Sequence, residues 1–389
     1  MFLEEMKKIW KPGTVVIMAV LSVLFFYSFM DQWIRPFRRE HDSFAEKMGI
    51  LTAWIGQYGN DIDEDEFQEI ENAYQHTLDH ARLVIQENDC FGENGVHSYE
   101  NYLAYEQKAL NGRDGYDYTV YSEMRRLISE DIKQSPMYLQ EYGDAVRHYR
   151  ISGGARNSIL PYEVLAYAGS YLVNLMILCL LCVFFVASPV MVDDRESNVA
   201  DAQYSSKVGK KIYRVQYICM MVSSFLVVSA AVVAGMLAWS TTGTDVFAES
   251  DVSSFLNTEH FVVSITFKEY IVFFIIMTYL LAMGTGSILF FLSAHSPNMT
   301  AMLLKSIPAV VGSILTALLL QNAFSGQNVF YRLSGVRYCE MIVAAVVWTV
   351  GFLLNIYSPE SDCRCGVRRG IISKRKRYLY RRGENIGKK

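Results

Sequence analysis

Six stretches of this chain, at 13–34, 163–191, 214–240, 268–293, 299–321 and 340–357, are almost free of charge and close to twenty residues long or longer. A bilayer core of about 30 Å needs roughly 20 apolar residues at about 1.5 Å of rise each, so every block suits a membrane-crossing helix. A soluble chain would scatter its apolar residues at helix or strand period. Here 389 residues that are 51% hydrophobic reach a mean hydropathy of +0.15 by concentrating apolar side chains in blocks. The expected fold class is an all-α polytopic membrane protein with six transmembrane helices and a mainly helical extracellular domain. The first block, after Lys7, Lys8 and Lys11, could start as a signal peptide, but its length and the lack of a small-residue cleavage site favour an uncleaved anchor.

Lys and Arg set the orientation. Lys7, Lys8 and Lys11, then Lys207, Lys210, Lys211 and Arg214, then the tail from Arg364 to Arg382 all read as cytoplasmic. An even number of spans returns both termini to that side, with Arg35, Arg38 and Arg39 dissenting just outside the first span. The net charge of -4 hides a segregation: 35–160 is acid-rich and the tail is basic. The expected organisation is an interfacial helix and first span over 1–34, an extracellular helical domain over 35–161, spans two to six over 162–358 with a cytoplasmic loop at 192–213, and a basic cytoplasmic tail over 359–389. The location is the plasma (cell) membrane, multi-pass.

FLEEMKKIWK reads either as a short amphipathic helix at the inner interface or as a frayed terminus. In the acidic region, FQEIENAYQHTLDHARLVI has helical spacing, and Asp61, Asp63, Glu64, Asp65 and Glu66 suit the positive end of its helix dipole. Turn signals at ENDCFGENG, LNGRDG and ISGGARNS divide the region into about four or five helices. SAHSPN at 293–298 is a tight inner turn, while NAFSGQNVFYRLSGVRYCE reads either as a re-entrant segment or as a surface loop.

Catalytic and metal motifs are weak. His76 and His80 share a helix face but lack a third ligand, and Asp61, Asp63 and Asp65 start a calcium loop that Glu66 and Asn72 then break. Ser205–Lys211 lacks the first glycine and the final hydroxyl of a P-loop. Gly284 and Gly286 lie in a span, where small residues permit close helix packing. Lys305 and Glu340 sit at span ends and Pro308 is expected to kink the fifth span; no buried proton relay is visible. Of seven cysteines, Cys179, Cys182 and Cys219 lie in apolar runs, and Cys363 and Cys365 are a faint metal or redox hint. No catalytic, cofactor or metal residue is expected, and no nucleic-acid partner.

The polar excursion between the second and third blocks is the most informative segment. It reads Asp193-Asp194-Arg195-Glu196-Ser197, Val199-Ala200-Asp201-Ala202-Gln203, Tyr204-Ser205-Ser206-Lys207, then Gly209-Lys210-Lys211-Ile212-Tyr213-Arg214. This resembles the first cytoplasmic loop of ABC-2-type transporter permeases, with Asn198-Val199 where many members carry Gly-Thr. The wider layout resembles the bacterial branch with a large insert between the first two spans. The resemblance implies an ATP-driven exporter's permease subunit, not itself an enzyme, that docks on a separate ATPase subunit and pairs with a second permease copy. ATP would be bound by the partner, and the docking residues would be Asp193, Asp194, Arg195, Glu196, Asp201, Gln203, Tyr204, Ser205, Lys207 and Lys210. The alternative is a non-transporting membrane sensor or scaffold whose outer domain binds an envelope ligand. The basic tail suits anionic lipid or the ATPase. The acidic region, with Tyr99, Tyr102, Tyr105, Tyr116, Tyr118 and Tyr121, suits a cationic peptide substrate through charge and aromatic faces.

Overall fold

The computed structural model describes residues 2–39, 43–112, 116–132, 136–196, 209–257, 264–321, 324 and 339–357. Helix α1 (Phe2–Ile9) precedes α2 (Pro12–Phe25), a π-helical turn at Phe26–Met30 and α3 (Asp31–Arg38). Then follow α4 (Ser43–Tyr58), α5 (Glu64–Glu87), α6 (Asp89–Glu93), α7 (Tyr99–Leu110), α8 (Tyr118–Ile132) and α9 (Pro136–Ser152). The second half holds α10 (Tyr162–Ala187), α11 (Pro189–Glu196), α12 (Gly209–Trp239), α13 (Phe267–Ala294), α14 (Met299–Leu320) and α15 (Cys339–Tyr357). Among the described residues there is no strand, only two isolated bridges, Asp61 with Ser158 and Asp251 with Thr266.

Five helical stretches are long and apolar enough to cross a membrane: Pro12–Arg38, Tyr162–Glu196, Lys211–Thr242, Phe267–Ala294 and Met299–Leu320. They match the first five apolar blocks of the sequence. The sixth block is also a helix, α15, whose apolar part Met341–Ile356 is shorter. The chain is therefore all-α with the helix set of a polytopic membrane protein.

The described residues fall into two units. The first draws on Met1–Trp33, Ala168–Thr241 and Ile271–Lys389; the second on Ile34–Tyr167 and Thr242–Tyr270.

In the first unit, the stretch Tyr162–Glu196, from Ala168 onward, is the central helix: 67% of its most apolar window is buried, against 6% for Pro12–Arg38. Small residues set the closest approaches. A Cβ on Gly284 would stand 2.7 Å from the Trp348 Cα, so α13 and α15 meet backbone to backbone there. Gly286 presses similarly on Val183, as the small-residue reading of that span expects. Interhelical hydroxyl bonds support this packing, with Thr285 2.7 Å from Ser313 and Tyr217 3.0 Å from Ser287.

The second unit is a helical domain with its own core. Asp63 caps α5 reciprocally: its carboxylate accepts from Glu66 N at 2.8 Å while Glu66 accepts from Asp63 N at 2.9 Å. Leu78, Ile85, Phe91, Met124 and Ile128 pack with Tyr99, Tyr102, Tyr105 and Tyr121. The sequence places this domain at 35–161; the structure adds 242–270. Ser158 and Ser254 bond across, with Ser254 Oγ donating to Ser158 O at 2.6 Å, and Asn60 Nδ2 donates to Ser250 Oγ at 2.9 Å. Gly243, at φ 70°, supplies the left-handed residue that opens the 3-10 turn Thr244–Phe247 in this returning segment.

Candidate functional site

Ser188-Pro189 interrupts the central helix, because proline has no N–H to continue the ladder and starts a new helix readily. The break leaves two backbone groups to satisfy, and one hydroxyl from α13 serves both. Ser293 Oγ accepts from Met191 N at 3.2 Å and donates to Ser188 O at 2.8 Å. Helix α11 thereby carries Asp193–Glu196 to the end of the second apolar stretch.

Each of those four side chains has a partner within the first unit. Asp193 Oδ2 takes Lys11 Nζ at 2.5 Å. Asp194, 6% exposed, takes Lys8 Nζ at 3.2 Å and Gln216 Nε2 at 2.7 Å. Arg195 donates to Ser296 O at 3.1 Å and also to Ala294 O, both in the turn between α13 and α14. Glu196 Oε1 accepts from Met299 N, at 3.0 Å, at the start of α14. Glu5 of α1 joins the same cluster: Lys8 reaches it at 3.0 Å and Gln216 at 3.1 Å.

A buried carboxylate is expensive unless paired and hydrogen-bonded, so this arrangement is what makes burial of Asp194 and Glu5 tolerable. It also acts on Lys8. Burial is the largest influence and pulls its pKa down, but the hydrogen bonds and charges of Glu5 and Asp194 together outweigh that and hold it above the usual lysine value. Trp10 Nε1 adds a bond to Ser223 Oγ at 3.0 Å, which seats α1 along α12. The N-terminal segment is a helix over Phe2–Ile9, with Phe2 and Leu3 exposed and Glu5 and Ile9 buried. Chemically, the site is a clamp joining α1, α11, the start of α12 and the α13–α14 turn.

Of the sequence-predicted docking residues, Asp193, Asp194, Arg195 and Glu196 are brought together here. Asp201, Gln203, Tyr204, Ser205 and Lys207 lie outside the described residues, as do the tail and the Cys363–Cys365 pair; Lys210 lies in α12, its side chain outside the description. Glu5 and Gln216 were not singled out by sequence, and Lys8 only as a charge that sets orientation. The weak signals for them were two charges on the apolar-facing side of FLEEMKKIWK and a lone amide at the entrance to the third apolar block.

Other candidates resolve into structural roles. His80 Nδ1 lies 3.3 Å from Asp131, and among the described residues no group of three His, Cys, Asp or Glu is placed to hold a metal. Asp63 and Glu66 are spent on the α5 cap, and Arg150 spans Glu64 at 2.8 Å and Glu71 at 2.5 Å. Four of the six tyrosines noted above are buried, so they build the core and present no face to a ligand; Tyr118, 60% exposed, does. Lys47 links Glu141 and Glu163 at 3.1 and 3.0 Å, and burial raises the Glu141 pKa despite Lys47. An apolar cavity of about 330 Å³ lies between α2 and α10, lined by Leu21, Phe25, Phe29, Leu178, Leu181 and Phe185.

Comparison with known protein families, characterised proteins and solved structures gave no match. The functional reading therefore rests on the chain's own residues.

Proposed function

We propose that the chain is the permease subunit of an ATP-driven exporter of the ABC-2 type, coupling hydrolysis by a separate ATPase subunit to export of an amphipathic or peptide-like substrate. In this reading α15 is the sixth span: its 19 residues reach about 28 Å, close to the bilayer core. Both termini are then cytoplasmic, 35–161 with 242–270 forms the outer domain, and the protein sits in the cell membrane. Two permease copies and two ATPase subunits would make the assembly.

The observation that carries the proposal is the clamp. A loop that receives force from an ATPase has to pass it on without slack, and Asp193–Glu196 are bonded to four separate elements of one helical unit. Force applied to the 192–213 loop would then reach the second, third, fourth and fifth spans together. This divides the labour among the expected docking residues: Asp194 and Arg195 hold the loop to the spans, while Tyr204 and Lys207 meet the ATPase.

Co-expression with the candidate ATPase encoded beside it tests this. The pair should co-purify, Tyr204→Ala with Lys207→Glu should release the ATPase, and the variant chain should remain folded. If no ATPase co-purifies with the wild type, while the outer domain binds an envelope component, the sensor or scaffold reading replaces it.

A further inference from the structure

The apolar cavity between α2 and α10 has walls that suit one kind of occupant. Of its ten lining residues, only Ser28 and Cys182 bring a hydrogen-bond donor, and the Cys182 thiol already lies 3.7 Å from the Ser22 hydroxyl. A buried water takes about three hydrogen bonds, so water has almost nothing to hold it here. An apolar cavity of only about 150 Å³ stays dry and takes up benzene, and this one is about 330 Å³. Left empty, both walls would lose the dispersion contacts that packing normally supplies.

Place and shape narrow the occupant further. Both walls belong to stretches long and apolar enough to cross a membrane, and the cavity is half open, with Leu21, Leu24 and Phe29 of its lining exposed. From Met18 to Phe29 the α2 wall runs about 16 Å at about 1.5 Å per residue, the depth of the chains in one leaflet of a core about 30 Å thick. That wall also leaves α-helical geometry. Phe26–Met30 form a π-helical turn, a distortion that recurs at functional sites, and the Phe25 and Phe29 rings stand 4.9 Å apart on the lining. Little else holds α2, since its most apolar window is only 6% buried by the rest of the chain.

We infer that the α2–α10 cavity binds one hydrocarbon chain of a membrane phospholipid as a fixed part of the first unit. Bilayer lipid is the source because it presents such chains to a half-open slot in a spanning helix pair in vast excess over any cargo. Recognition is of the chain and not of the headgroup, because no charged side chain lines the cavity. The bound chain packs α2 against α10, whatever the protein transports.

The test purifies the full chain in a steroid-based detergent, whose tail is a rigid ring system and not a chain, and weighs the intact protein by native mass spectrometry. The expected result is one retained phospholipid per chain. After delipidation, adding back phosphatidylglycerol or phosphatidylcholine with palmitoyl and oleoyl chains should raise Tm by about 2–4 °C, equally for both headgroups. Glycerol phosphate, which has no chain, should not raise it. Leu21→Trp with Cys182→Phe fills the cavity and should cut lipid retention about tenfold. Val16→Phe, on an exposed face that does not line the cavity, should leave retention unchanged. Should the filled variant fail to fold, the add-back to the wild type still decides. A wild type that carries no phospholipid or gains nothing on add-back, a rise that depends on one headgroup, or a folded filled variant that keeps its lipid would overturn the inference. A retained mass that belongs to a second copy or to another amphiphile would overturn it as well.

Discussion

In the first unit, Asp194 is 6% exposed and meets Lys8 and Gln216 across 186 and 22 residues of sequence. In the second unit, Arg126 meets Glu123 and Glu130 on one exposed helix face, three and four residues away. Both are ion pairs of good geometry, yet they do different things. The exposed pair trades water for a neighbour that it would meet in any helix, so it carries little tertiary information. The buried cluster exists only when four elements are assembled, so each member reports on the whole arrangement. Arg126 is thus satisfied locally, whereas Asp194 is satisfied only by tertiary contacts.

The largest expected effect that sharpens this contrast is at the clamp. Asp194→Ala takes from Lys8 and Gln216 an acceptor that each shares with Glu5 and should cost about 2–3 kcal/mol in detergent unfolding, since Lys8 keeps part of its hydration. Gly284→Leu comes next: its side chain must enter the α13–α15 contact and push a backbone apart, for about 1–3 kcal/mol in the same assay. In the second unit, Tyr121→Phe removes a donor to Glu106 at 2.6 Å and should cost about 1 kcal/mol, whereas Tyr102→Phe removes a buried hydroxyl that has no partner and should be neutral or stabilising. Arg126→Ala should leave the unfolding midpoint unchanged. A clamp variant as silent as Arg126→Ala would erase the distinction between the units.

The tyrosine core adds a pH dependence. Burial, then the hydrogen bond and charge of Glu106, push Tyr121 up to about 12, and burial raises Tyr99 and Tyr102 as well. A raised value in the fold means stability fully present below the unfolded value of about 10 and lost as pH climbs from there to about 12. Spectroscopic titration should therefore show tyrosinate appearing together with loss of helix.

Much of the architecture was legible in the sequence because its causes are local. The apolar blocks mark five of the helices, the Asp63–Glu66 spacing marks the start of α5, and the turn signals fall where α5, α7 and α9 end. Asn298 ends the expected 293–298 turn by capping α14, its side chain accepting from Ala301 N at 2.9 Å. The site was half legible. Asp193–Glu196 stood out as charges beside a span, but nothing local links Lys8 to Asp194 or Arg195 to the carbonyls of Ala294 and Ser296. The return of 242–270 to the second unit was equally hidden, because it depends on serine and asparagine bonds between distant segments. Periodicity reports which face of an element is apolar; it does not report which polar group waits opposite.

The central claim is that α11 and α1 are coupled through the buried charge of the clamp. A double-mutant cycle on Lys8→Met and Asp194→Asn, read by reversible unfolding in detergent, tests it most directly. The account predicts a coupling of about 1–2 kcal/mol between the two positions. Effects that simply add, within about 0.5 kcal/mol, would contradict it.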